Sequence, residues 1–400
     1  MKWSGFKIFF LALFCFAALG LSANGNSFFG LDSCKFCKKT INAVQIPIWK
    51  SKIHFTPVFA WNNSDKTQLG IAFYSKPKLK NVDFVFVPMF ALGSKNLTGL
   101  ANFSYTFPLR KIKSFEFGFK SRRFSYLVFP EDLAYNKVEP FFEIELNKAK
   151  KEKLQKHQQT MGFRSSLIFL EYLSKGRQTQ FYYVNELNYK YDFKQEKNNI
   201  WFQFTAKQST SFASVSGEIN LGINFPTRRK NAFRIRAFAG GFLFSNFNGD
   251  APIAKFLLSG STNTFLPQYQ KDFQFDQFYF DRNAQDPFFS RQVAILDGGF
   301  RSITSAGNSN KYLFALNLSS DIPIPIPIEP WANFALIDEG TKPGFAAEFG
   351  ASIVLFDRFI QFHFPFVTTN NIKNNQSVLG ITNFGQRISF SMDLMKIIKK

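Results

Sequence analysis

SFEFGFK, residues 114–120, sets Phe115, Phe117 and Phe119 against Glu116, Gly118 and Lys120. Successive side chains of an extended chain point to opposite faces, so this stretch builds a strand with one aromatic face and one polar face. Strict alternation of this kind marks a β-strand and not a helix. The same rhythm recurs on both sides of it. Upstream, KIHFTPVFAW (52–61) places Ile53, Phe55, Phe59 and Trp61 at odd positions, and LTGLANFSYTF (97–107) alternates Ala101, Phe103, Tyr105 and Phe107 with Asn102, Ser104 and Thr106. Downstream, NIWFQFTAK, ASVSGEINLGINF and AFRIRAFAG keep the period, the last with Phe233, Ile235 and Ala237 against Arg234, Arg236 and Phe238.

About sixteen such segments fit between residues 51 and 395, and segments of roughly ten alternating residues separated by polar turns are the signature of a transmembrane β-barrel. Alternation is shared with soluble sandwiches, so an all-β soluble protein is the competing fold. Composition agrees with interleaving. Phe accounts for 56 residues of 400, yet mean hydropathy is −0.12. Beyond the N-terminus no stretch reaches the about 18 uninterrupted apolar residues of a spanning helix, and only helices and closed barrels satisfy the backbone in lipid. The expected class is therefore all-β, an antiparallel transmembrane barrel of about 16 strands, with 12–18 as the range. NNSD (62–65), SKPKLKN (75–81), GSKN (93–96) and LSKGRQ (173–178) read as short turns, and 246–291 as a long connection. Barrels mix short turns with longer loops in this way.

The first 23 residues carry Lys2 and Lys7, an apolar run from Ile8 to Leu21 and the small-residue site Leu21-Ser22-Ala23. This is the pattern of a secretory signal peptide cut after Ala23, with an uncleaved anchor as the alternative. Cys15 falls inside the apolar run. Residues 24–50 then form a short periplasmic segment holding Cys34 and Cys37 in LDSCKFCKKT, and 51–400 the barrel. In an oxidising compartment two cysteines pair, so the expectation is a local disulfide. A redox dithiol is the alternative, but nothing around it reads as the βαβ scaffold such a site needs.

The net charge is +21 and the pI about 9.8. This balance suits a surface facing anionic lipid phosphates, lipopolysaccharide included, or a positive lumen. The lysine run KAKKEKLQKH (148–157) reads as a solvated turn, and no nucleic-acid partner is expected. The three histidines, His54, His157 and His363, show no second histidine four residues away, so there is no HExxH zinc motif. No phosphate loop and no GxSxG elbow occur. Asp276, Asp281 and Asp286 in DQFYFDRNAQD match no EF-hand spacing and read as polar loop residues. No catalytic, cofactor or metal residue is assigned, and each histidine is expected to lack a catalytic partner.

The order VPMFALGSKNLTGLANFSYTF, FAGGFLF, DQFYFDRN…SRQVAILDGGFR, IPIPIPIEPWANFALIDEG and AEFGASIVLFDRFIQFHFPFV resembles the C-terminal barrel region of some aminopeptidase-N-like proteins of Gram-negative bacteria. More distantly it is similar to bacterial surface-antigen barrels of the outer-membrane assembly superfamily. The resemblance covers roughly 45–400. It implies an outer-membrane barrel with a channel, transport or assembly role. A non-conducting anchor for a periplasmic or surface partner is the alternative, and a barrel-rim enzyme a third reading. The zinc peptidase domain is absent, so no peptidase residue carries over.

DIPIPIPIEPW, 321–331, places Pro323, Pro325 and Pro327 at alternate positions and so removes donors from one edge of an extended segment. The expectation is a turn between YLFALNLSS and WANFALIDEG whose prolines deny the exposed strand end a partner from another chain. A polyproline spacer is the other reading.

Overall fold

The computed structural model describes residues 43–46, 51–75, 81–109, 112–128, 131–146, 156–172, 179–194, 198–226, 232–246, 254–261, 272–282, 288–322, 327–338 and 343–393. The signal peptide, Cys34, Cys37, Pro323, Pro325 and Asp286 lie outside the described residues. Twelve strands come first: β1 (Ala43–Ile46), β2 (Ser51–Asn62), β3 (Lys66–Ser75), β4 (Val82–Ala91), β5 (Leu97–Phe107), β6 (Ser114–Val128), β7 (Glu131–Glu145), β8 (Lys156–Tyr172), β9 (Thr179–Lys194), β10 (Asn198–Gln208), β11 (Phe212–Asn224) and β12 (Ala232–Ser245). A long connection follows, holding the short pair β13 (Gly260–Ser261) and β14 (Val293–Ala294). The chain then continues through β15 (Tyr312–Ser320), β16 (Ile328–Asp338), β17 (Pro343–Leu355), β18 (Ile360–Thr368), helices α1 (Asn370–Val378) and α2 (Phe384–Arg387), and β19 (Ser389–Met392).

Every strand of the main sheet pairs antiparallel with its neighbour in sequence, and β12 pairs β15 across the long connection, giving a 17-stranded meander. The short turns expected at 62–65 and 93–96 fall between two strands, at 63–65 and 92–96, while 76–80 and 173–178 lie outside the described residues. The long connection is longer than expected and runs from 246 to 311. Asn63 N–H donates to Phe280 of this connection, Tyr182 Oη donates to Phe273, Arg236 reaches Asp297, and Arg301 reaches Glu329. The turn after β2 and strands β9, β12 and β16 thus all reach one internal segment, and the sheet curls around it as a barrel.

Burial is inverted relative to a soluble protein. Phe117 and Phe119 are 42% and 44% exposed, whereas Glu139 is 2% and Glu348 0% exposed. The outward face carries aromatic ladders: Phe103 stands opposite Phe119, Phe107 opposite Phe115 and Tyr105 opposite Phe117, with Phe103–Phe119 ring centroids 5.9 Å apart. Such cross-strand pairs contribute roughly 0.2–1 kcal/mol each. A period-2 sequence leaves every residue facing one side or the other, so the aromatic set and the charged set separate onto opposite faces. Lys120 lies on the inner side, 3.6 Å from Glu139, as the alternation requires.

Among the described residues no pairing joins β1 to β19. The internal connection covers this seam instead. Gln292 forms a parallel bridge with Phe390 of β19, Phe288 stacks on Phe390 at 5.4 Å, and Phe289 packs on Trp61 of β2 at 4.4 Å. Pro327 stands at the start of β16, where its carbonyl accepts from Val354 N–H. The next turn, between β17 and β18, holds Phe356, Asp357 and Arg358 at positive φ (49°, 57° and 65°). Non-glycine residues in that region carry strain and persist only where surrounding contacts hold them. Here Arg358 is held by Asp321, at 2.5 Å, and by Glu329.

Candidate functional site: the connection held in the lumen

Two anchors of opposite sign hold the long connection inside the sheet. The first is cationic and is built on β6 to β10. Lys137 Nζ lies 2.5 Å from Asp276 Oδ1, and Arg164 donates to Asp276 Oδ2 at 2.8 Å. Arg122 donates to the backbone carbonyls of Phe275 and Asp276 at 3.2 and 3.0 Å. Lys137 and Arg164 are themselves steadied by Glu139, at 2.7 and 3.4 Å, and Arg164 by Glu186 at 2.6 Å. Burial opposes ionisation of Asp276, but Arg164, Lys137 and Arg122 outweigh it and hold the carboxyl well below the usual carboxylate range.

The segment around Asp276 is shaped to present that carboxylate. Asp272 accepts from the backbone N–H of Asp276 and of Gln277, both at 2.9 Å, and from Arg282 at 2.9 Å. Phe275 is fully buried and stacks on Tyr135 with centroids 4.1 Å apart. Gln274 accepts from Lys207 at 2.7 Å. The segment is therefore clamped by one aromatic ring, one amide and one carboxylate in successive inward positions.

The second anchor is acidic and is built on β16 to β18. Arg301 pairs with Glu329 at 3.0 Å, donates to Ser352 at 2.8 Å, and lies 5.0 Å over the Trp331 ring. The backbone N–H groups of Arg301 and Ser302 donate to the two oxygens of Glu348 at 2.6 and 3.0 Å. The approach to this anchor needs Gly299, whose φ is +72° and whose added Cβ would sit 2.3 Å from Asn317 Oδ1.

His363 has side-chain partners that were not evident in the sequence. Its Nδ1 is 2.7 Å from Ser352 Oγ and its Nε2 is 2.9 Å from Ser391 Oγ. Ser352 already accepts from Arg301 and from Trp331 Nε1, so its single O–H proton goes to His363 Nδ1, which leaves Nε2–H to donate to Ser391. Both ring nitrogens and the serine are consumed by this chain, His363 and Ser352 are 0% exposed, and no carboxylate orients the ring. The arrangement supports Arg301 rather than chemistry on a substrate. His157 bonds Tyr191 at 2.7 Å, and His54 stacks on Tyr74. Among the described residues no group of three His, Cys, Asp or Glu side chains is placed to hold a metal ion.

Asp276 is likewise more than the polar loop residue expected. It is the centre of an ion-pair network, and Asp281 is buried. Sequence reasoning missed Arg122, Lys137, Arg164, Arg301, Glu329 and Glu348. For the residues on strands, the available signal was a charge within an alternating segment, at an inward position of the alternation; Arg301, on the connection, carried no such signal. Arg234 and Arg236 carry the strand signal in AFRIRAFAG, and Arg236 binds Glu218 at 2.7 Å.

No family model and no curated protein matches the chain. Among solved structures it is similar to CdiB from Acinetobacter baumannii (9% identity, TM-score 0.40, 81% of this chain and 55% of that one). It is also similar to CdiB from Escherichia coli (11% identity, TM-score 0.40, 79% and 59%). A third is BamA from Haemophilus ducreyi lacking POTRA domains 1–3 (8% identity, TM-score 0.41, 83% and 73%). The chain spans little more than half the length of the CdiB structures. Likeness at this level carries no argument about function.

Proposed function

We propose that the chain is an outer-membrane β-barrel, exported through its N-terminal signal peptide, with a gated channel, transport or assembly role. The observation that carries this reading is the inverted burial around an occupied lumen: aromatic side chains point outward and the charged inner face grips the chain's own connection. An outward apolar band with a polar interior is what lipid demands of a barrel. Among the described residues no helix is long and apolar enough to cross a membrane, which leaves strands as the spanning element. The resemblance to surface-antigen barrels points the same way, and the narrower likeness to aminopeptidase-N-like barrels brings no peptidase activity with it.

In this reading the resting protein is closed, and function requires the connection to leave one or both anchors. Outer-membrane lipid and lipopolysaccharide surround the barrel, and Cys34 and Cys37 form a disulfide in the segment before it. Planar-bilayer recordings test the proposal. The native protein should conduct little, and deletion of 262–297 should give stable open channels. A folded deletion protein that never conducts would favour the second reading, a scaffold barrel that holds a periplasmic or surface protein. That reading draws on the same occupied lumen.

A further inference from the structure

We infer that Lys137, Arg164 and Arg122 form an anion-binding site of the lumen, and that Asp276 is its built-in occupant, exchangeable for a small oxyanion. The geometry is that of a ligand site. The two carboxylate oxygens of Asp276 are taken by different cations, Oδ1 by Lys137 and Oδ2 by Arg164. Carboxylate and phosphate groups offer paired oxygens of this kind, which a guanidinium and an ammonium can share.

Charge supports the assignment. Arg122, Lys137, Arg164 and Lys207 converge here, and the carboxylates that answer them are Glu139, Glu186 and Asp276. Arg122 donates only to backbone carbonyls, so among the described residues its charge meets no carboxylate at ion-pair distance. Without Asp276 the pocket therefore carries an excess of positive charge in a buried place, a condition that draws an anion.

Asp276 also differs in kind from the other two carboxylates. Glu139 and Glu186 stand on β7 and β9 within continuous ladders, whereas Asp276 arrives on the connection. It is the member of the network that can depart without breaking a strand pairing. The site lies on the inner face of the sheet, away from the outward aromatic face, so the ligand is a water-borne oxyanion or an oxyanion group on a lumenal solute.

The test uses the full chain folded in detergent, with melting of the folded, heat-modifiable band as the readout and inorganic phosphate as the probe at constant ionic strength. For Asp276→Ala the melting temperature should rise with phosphate concentration, because a ligand that binds only the folded state stabilises it by mass action. The native protein, with its site filled, should show no rise. Lys137→Met added to Asp276→Ala should abolish the response. Asp276→Asn serves as the milder companion variant, and a phosphate-dependent gain in its folding yield supports the site equally. A folded Asp276→Ala protein indifferent to phosphate overturns the inference, as does an equal response from the native protein. Failure of both variants to fold at every phosphate concentration also overturns it, since Asp276 is then not exchangeable. This inference does not rest on conduction. A barrel that never conducts but binds phosphate would fail the gating proposal alone.

Discussion

The two anchors of the connection are built from opposite charges. Around Asp276 the wall offers cations to an acidic residue; around Arg301 the wall offers carboxylates to a basic one. A segment with one acidic and one basic anchor point can sit in such a lumen in one direction only, because the reversed placement would oppose like charges in a buried setting. The anchors also differ in depth of support. Arg301 is gripped through its side chain and through its backbone, and Glu348 binds two successive N–H groups. Asp276 is gripped through its carboxylate by Lys137 and Arg164, while the wall reaches its backbone only through Arg122 on a carbonyl. The Arg301 end, where one wall carboxylate takes two successive N–H groups and another pairs the side chain, is read as the fixed end and the Asp276 end as the releasable one.

The largest expected effect comes from the fixed end. Arg301→Ala strips the side-chain grip from Glu329 and Ser352 and should cost about 3–5 kcal/mol, the range for removing one partner of a buried pair. Urea titration of the folded band measures it. A loss below that of Asp276→Asn would reverse the ranking of the two ends. A control outside both anchors comes next. Phe117→Arg on the outward face should cost roughly 2–4 kcal/mol in lipid near the midplane, while Glu116→Arg on the inner face should cost little. Equal tolerance in a bilayer refolding assay would contradict the outward assignment of Phe117.

Asp276→Asn removes the charge but keeps the shape, and Lys137 retains Glu139. It should cost about 1–3 kcal/mol, the penalty of a buried charged hydrogen bond lost. In planar bilayers it should raise the frequency of opening. The pH dependence follows in sign from the depressed pKa of Asp276. A depressed carboxyl contributes stability that is fully present above its unfolded value and lost as pH falls through its folded value. The stability difference between the native protein and Asp276→Asn should therefore stay constant from neutral pH to mild acid and vanish only below the usual carboxylate range. A difference that disappears near pH 6 would assign the latch to another group. The smallest effect is expected for Cys34→Ser with Cys37→Ser, which should leave the folded band unchanged, because both cysteines precede the first alternating segment. Thiol trapping of the native protein should find no free thiol before reduction.

Much of the architecture is legible in the alternation alone. SFEFGFK becomes the first half of β6 with Phe117 and Phe119 outward, and YLFALNLSS becomes β15 without a residue added or lost. These features follow from a period-2 rule acting on neighbours in the chain, so a short window of residues suffices to read them. The charge of each inward position is equally local: Lys137, Arg164 and Glu348 interrupt aromatic strands where only an inner face could accept them. What those charges bind is not local. Lys137 and Asp276 are 139 residues apart, and Arg122 reaches a carbonyl 154 residues away. The connection reads as a polar loop because its composition is that of one, and it enters the lumen because the curled sheet gathers buried charges that need partners. Which charge meets which carboxylate depends on the curvature and register of seventeen strands together, and that is decided in the tertiary structure.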